Sequence, residues 1–144
     1  MSGLAAILAG RTGPGIFRWH GAFDPADVRH TVEHAGWRFA HYDGWGAESK
    51  AEFLTGIGQA LAFPAASGQN FDALGDSLQD VVAGDSAGTV LLWDGWSPFA
   101  RADEQAFSVA LSVLGTRVNA ERGGPFAVLL RGEGPETVGV PSLD

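Results

Sequence analysis

Apolar positions along the chain fall into two kinds of segment. Short alternating or continuous apolar runs predict strands at residues 16–20, 37–42, 89–93 (TVLLW) and 126–130 (FAVLL). The last two have almost no polar interruption, which predicts strands covered on both faces. Elsewhere the apolar residues recur at helical spacing. Phe53, Leu54, Ile57, Ala60 and Leu61 mark a helix running up to Pro64. Phe71, Leu74, Leu78, Val81 and Val82 mark a second that ends near Ala83, and Phe107, Leu111, Leu114 and Val118 mark a long third that ends at Gly123-Gly124-Pro125.

Local start and stop signals agree with this division. Asp24 as N-cap, Pro25 in the first turn and Asp27 predict a helix that Gly36 stops. Ser49-Lys50-Ala51-Glu52 is a capping box, and Asn70 can cap the helix that follows it. Strands separated by helices predict a small α/β domain with a mainly parallel sheet.

Composition supports one packed domain. Phe, Leu, Ile and Val make up 36 of the 144 residues, enough for a core and too many for a disordered chain. Acids outnumber bases 17 to 9, a net charge of −8. Sequence-independent binding to nucleic acid or to an anionic membrane needs a cationic surface, so neither is expected as a partner. With no Cys there is no disulfide, thiol nucleophile or Cys-based zinc site. The N-terminus lacks the features of a secretory signal and no apolar segment is long enough to span a bilayer, so the expected location is the cytoplasm. One Lys against eight Arg, with abundant Ala and Gly, has the look of a G+C-rich bacterial coding bias.

Three motifs resemble catalytic or ligand-binding patterns. Gly84-Asp85-Ser86-Ala87-Gly88 matches the G-x-S-x-G nucleophile pattern, but that elbow leaves a strand and enters a helix, whereas this segment leaves a helix and enters a strand. His30-Thr31-Val32-Glu33-His34 matches H-x-x-E-H and sets two imidazoles on one helix face, without a convincing third ligand. Gly10-Arg11-Thr12-Gly13-Pro14-Gly15 lacks the G-K-[ST] ending of a phosphate loop and reads as a turn or N-terminal arm. No catalytic residue, metal or cofactor is expected.

The charge distribution is more informative than its total. Residues 61–100 hold five Asp and no base. Among them Asp72, Asp76 and Asp80 recur every four residues, which stacks them along one side of a helix. Like charges at this spacing repel, and a carboxylate near a helix C-terminus opposes the dipole, so helix stability alone does not favour the row. It fits a solvated polar face, a pair of acid–base carboxylates, or an anionic surface for a cationic protein.

The stretch from Phe63 to Asp80, FPAASGQNFDALGDSLQD, resembles the signature of the barstar family: a Pro, Gly-x-Asn, an apolar residue and Asp-Ala-Leu leading into an Asp-x-Leu helix. Gly68, Asn70, Asp72, Ala73, Leu74, Asp76 and Leu78 all fall in register, and the order of flanking elements extends the similarity over residues 37–131. The resemblance implies a barstar-like small parallel sheet flanked by helices in residues 37–144. Residues 1–36 would then be an extension packed on the same domain, adding a strand and a helix.

The resemblance also implies an intracellular, non-enzymatic inhibitor, of an immunity or antitoxin kind, that blocks a basic, secreted-type ribonuclease. Asp76 would enter the enzyme's phosphate-binding cleft, with Ser67, Gly68, Asn70, Asp72, Gly75 and Asp80 in the same surface. A carboxylate on a rigid helix can imitate a phosphate and pair with Arg. The chain departs from the family at the aromatic pair, here Ala66-Ser67, and at the Trp before the central Asp, here Gly75. The acid of the last helix aligns with Val118, with Glu121 close by. These departures define the alternative: a barstar-fold module whose partner is not the usual nuclease.

Overall fold

The structure, a computed structural model, describes residues 2–64, 70–136 and 139–143. Its elements in chain order are α1 (Ser2–Leu8), β1 (Ile16–Trp19), α2 (Pro25–His34), β2 (Arg38–Asp43), α3 (Lys50–Ala60), α4 (Phe71–Gln79), β3 (Thr89–Asp94), α5 (Ser97–Ala102), α6 (Glu104–Val118) and β4 (Phe126–Arg131). The four strands form one sheet in the order β1-β4-β3-β2. Every pairing is parallel, with Arg38 opposite Thr89, Thr89 opposite Phe126 and Ile16 opposite Val128. The expected parallel sheet flanked by helices is therefore present, with β1 of the extension paired to β4.

Connection handedness explains the two layers of helices. From β2 through β3 to β4 the chain steps across the sheet in one direction, while the step from β1 to β2 runs back the other way. Right-handed crossovers place the helices of opposite steps on opposite faces. Accordingly Phe53, Leu54 and Ile57 of α3, Leu74 and Leu78 of α4 and Phe107, Ala110 and Leu114 of α6 pack on Leu91, Trp93, Phe126, Val128 and Leu130. Leu4 and Ile7 of α1 and Val28 and Val32 of α2 pack on the other face, against Trp37, Phe39, Val90, Leu92, Ala127 and Leu129. β3 and β4 are buried on both faces, as their apolar runs predict.

Several boundaries differ from the sequence expectation. Residues 2–8 form α1, which had no predicted helix; its seven residues are too few for a periodic signal. The second predicted helix stops at Gln79 with Asp80 as C-cap, and Val82 is exposed rather than part of the apolar face. The helix predicted to reach Gly123 ends at Val118, capped by Asn119, and a separate short α5 precedes it. Its buried stripe is Phe107, Ala110, Leu114 and Arg117, while Leu111 and Val118 are only partly covered. Asp24 holds the N-cap position of α2 but makes no side-chain cap hydrogen bond. Glu52 accepts from the Glu48 N–H at 3.1 Å rather than from Ser49 N–H, while Ser49 Oγ accepts from Glu52 N–H at 3.2 Å.

Candidate functional site

α4 begins where Asn70 Oδ1 accepts a hydrogen bond from the Ala73 N–H at 2.8 Å, the cap expected of Asn at this place. Leu74 and Leu78 are fully buried against the neighbouring helices and fix the helix's rotation. That rotation turns Asp72, Asp76 and Asp80 outward, and all three are exposed. None of the three is paired with a base among the described residues. Asp72 lies in the first turn, where the helix dipole favours an acid; Asp80 lies at the opposite end. Gly75 is half-buried in mid-helix, and among the described residues a Cβ there would meet Val113 Cγ1 at 3.8 Å. Ser67 and Gly68, with Ala66, lie outside the described residues. Of the expected set, Asn70, Asp72, Gly75, Asp76 and Asp80 thus belong to one helix and its caps.

The end of α4 is held by a residue that periodicity did not single out. Arg117, 1% exposed, projects from α6 beneath the C-terminus of α4. Its Nε donates to the carbonyls of Leu78 (3.1 Å) and Val81 (3.2 Å), and Nη2 donates to Val81 (2.7 Å) and Gly123 (3.0 Å). Nη1 donates to Gly124 at 3.2 Å, and the guanidinium lies over the Phe126 ring. Burial lowers its pKa from the usual value. The available sequence signal was the spacing itself, since Arg117 follows Leu114 by three residues on the buried stripe.

A second polar cluster sits at the carboxyl ends of the strands. Arg131 and Asp94 form a paired hydrogen bond, and Asp94 Oδ2 also meets His41 Nε2 at 2.8 Å. Burial pushes the Asp94 pKa up, but the hydrogen bonds and charges of Arg131 and His41 outweigh it and hold the carboxyl below its ordinary value. Arg131 Nη1 also donates to the carbonyls of Gly21 and Phe23, which ties the β1–α2 loop to the centre of the sheet. With every donor group engaged in this way, Arg131 is a clamp within the fold.

The other motifs fall elsewhere. Ser86 lies in the helix-to-strand loop after Gly84, whose φ is +58°. His30 and His34 stack on each other on the exposed side of α2, their ring centroids 6.0 Å apart. No cluster of three metal-ligating residues exists among the described residues. Of the two Trp in glycine-rich turns, Trp45 is 53% exposed and Trp96 is fully buried, donating from Nε1 to the Gly132 carbonyl at 3.1 Å.

A family model for Barstar (barnase inhibitor) matches residues 37–131, from the start of β2 to the end of β4. The chain belongs to the barstar family. The match includes α4, Arg117 and the Asp94–Arg131 pair, and leaves α1, β1 and α2 outside it. No curated protein matches the chain. Among solved structures, the Aeropyrum pernix ORC2 protein (ADPNP-ADP complexes) is similar at a TM-score of 0.60 and 12% identity, over 91% of this chain and 38% of that one. Drosophila ORC bound to DNA is similar at a TM-score of 0.60 and 16% identity, over 85% of this chain and 33% of that one. The barstar-family chain thus spans well under half the length of either, and the likeness is one of fold.

Proposed function

We propose that this protein binds a basic ribonuclease and blocks its active site with the outer face of α4 and the loop before it. The observation that carries the reading is the row of Asp72, Asp76 and Asp80, exposed and without a base partner among the described residues, on a helix whose other side is fixed by Leu74, Leu78 and Arg117. A rigid set of carboxylates loses little conformational freedom on binding and complements an enzyme surface built to hold phosphates. Uncompensated negative charge also steers a cationic partner toward that face. In this reading the site of action is the bacterial cytoplasm, where an inhibitor guards cellular RNA.

The test is binding and ribonuclease inhibition measured with a barnase-type nuclease for the native protein and for Asp76→Ala. Loss of a carboxylate that pairs with a desolvated Arg weakens binding by about thirtyfold or more, at about 2 kcal/mol or above. Equal affinity for both proteins would refute the proposed interface. A second reading rests on Gly75, which offers no side chain where the family carries an aromatic anchor. A barstar-fold module with another basic partner would bind through the same Asp row without inhibiting any ribonuclease.

A further inference from the structure

A recess of about 410 Å³ opens between α3 and the outer strand β2, walled by Tyr42, Asp43, Glu52, Thr55, Gly56 and Gln59. Among the described residues, two carboxylates and no base line it. Each carboxylate has one oxygen engaged by backbone: Asp43 Oδ1 accepts from Trp45 N–H at 3.2 Å, and Glu52 Oε1 from Glu48 N–H. The second oxygens have no protein donor among the described residues.

Tyr42 supplies an independent observation. Its side chain is 4% exposed, yet its hydroxyl is buried without a hydrogen-bond partner. A Cβ on Gly56, in the recess wall, would lie 3.0 Å from that hydroxyl oxygen and 2.4 Å from Cε1. The absence of a side chain at residue 56 thus makes room for the ring. Burial first, then the charges of Glu52 and Asp43, push the Tyr42 pKa up to about 12, so the hydroxyl stays protonated and both carboxylates act on it. Buried polar groups normally have partners, and an orphan beside two half-used carboxylates marks a place for a donor.

We infer that the recess between α3 and β2 binds an organic cation of side-chain size, a guanidinium or primary ammonium on an aliphatic stem. Such a group carries several N–H donors, enough for the free oxygens of Asp43 and Glu52 together, with its charge beside the Tyr42 ring. Ala47 and Ala51, at the margin, suit the stem. An anion has no base to meet here, and two carboxylates are too few for a resident metal. The inference does not depend on the α4 reading, because none of the lining residues belongs to α4. The cation can be free in solution or carried by a protein as an Arg or Lys side chain.

Tyr42 is the only tyrosine, so a ¹³Cζ-tyrosine label gives one resonance from within the recess. The labelled full-length protein is titrated with agmatine and, separately, with a doubly capped arginine, using NaCl at matched ionic strength as control. A saturable shift is expected with an organic cation and not with NaCl. Asp43→Asn and Glu52→Gln keep an acceptor for the loop and for the helix cap, so the fold is retained. Each weakens binding roughly threefold, and the double variant abolishes the saturable shift. Capped arginine binding as well as agmatine points to a protein-borne side chain, and a preference for agmatine to a free cation. No saturable shift with either probe, or a shift unchanged in the double variant, would overturn the inference.

Discussion

Replacing Arg117 with Met tests how α4 is held. Met keeps an apolar stem of similar reach over Phe126 but removes every donor of the guanidinium. The carbonyls of Leu78, Val81, Gly123 and Gly124 each lose a hydrogen bond from a buried cation. Leu78 and Gly123 keep backbone donors, the Val81 and Ala83 N–H groups, so Val81 and Gly124 are the acceptors left without one among the described residues. A buried acceptor left without a donor costs about 1–3 kcal/mol, so two at the middle of that range sum to about 4 kcal/mol. Relief from burying a charge returns part of this, leaving a net loss of about 3 kcal/mol. A chain of this length has a total stability of roughly 7–20 kcal/mol, so the variant folds, with a reduced margin. Urea denaturation followed by far-UV circular dichroism should show the midpoint falling by about 1.5 M at an m-value near 2 kcal/mol/M, with m unchanged. Amide exchange in α4 should accelerate more than in β3, because the lost bonds end at that helix. A midpoint shift below about 0.5 M, or exchange rising equally in α4 and β3, would refute the assignment of Arg117 as the clamp on α4.

Three other perturbations have defined outcomes. Gly75→Ala adds a methyl in ordinary contact with Val113 and removes backbone freedom from mid-helix, so stability should rise by up to about 1 kcal/mol, a melting-point gain of about 3 °C by calorimetry. Asp94, whose folded pKa is lowered, contributes stability that is fully present above its unfolded pKa near 4 and is lost as pH falls through the folded value; urea midpoints measured from pH 6 to pH 2 should fall across that window, and Asp94→Asn should flatten the fall. Removing residues 1–36 uncovers Trp37, Phe39, Val90, Leu92, Ala127 and Leu129, and at about 1.5 kcal/mol or more for each large apolar side chain the loss approaches the whole stability. The shortened chain should therefore bind a hydrophobic dye and self-associate, and a monomer as stable as the full chain would contradict this.

Strands and helices with strong periodicity were readable because burial on one or both faces imposes its own spacing. β3 and β4, buried throughout, read as unbroken apolar runs, and Asn70 and Ser49 marked helix starts through their own side-chain chemistry. α1 was missed because two buried residues, Leu4 and Ile7, set no period. The ends of α4 and α6 were misplaced for a related reason: Val81 is buried by the turn that Arg117 holds, outside the helix. The row of Asp72, Asp76 and Asp80 was legible because helical spacing alone puts i, i+4 and i+8 together. The roles of Arg117 and Arg131 were not: spacing puts Arg117 on the buried stripe of α6, but nothing local says which distant carbonyls or carboxylate either cation serves. The recess at Tyr42 joins a strand to a helix and depends on Gly56 lacking a side chain, which no spacing rule encodes.

The clamp at Arg117 also answers a difficulty raised by the acidic row. Three carboxylates on one side of a nine-residue helix repel one another, and Asp80, at the C-cap, opposes the dipole as well. A cation at a helix C-terminus has the opposite sign of interaction. Arg117 provides that cation from another helix, bonded to the carbonyls of Leu78 and Val81 on either side of Asp80. Because it is bonded to carbonyls and not to the carboxylates, it leaves the Asp side chains facing solvent. A surface base among the aspartates would lower the same repulsion but would neutralise the face. Placing the positive charge beneath the helix supports the negative row and keeps it available to a partner.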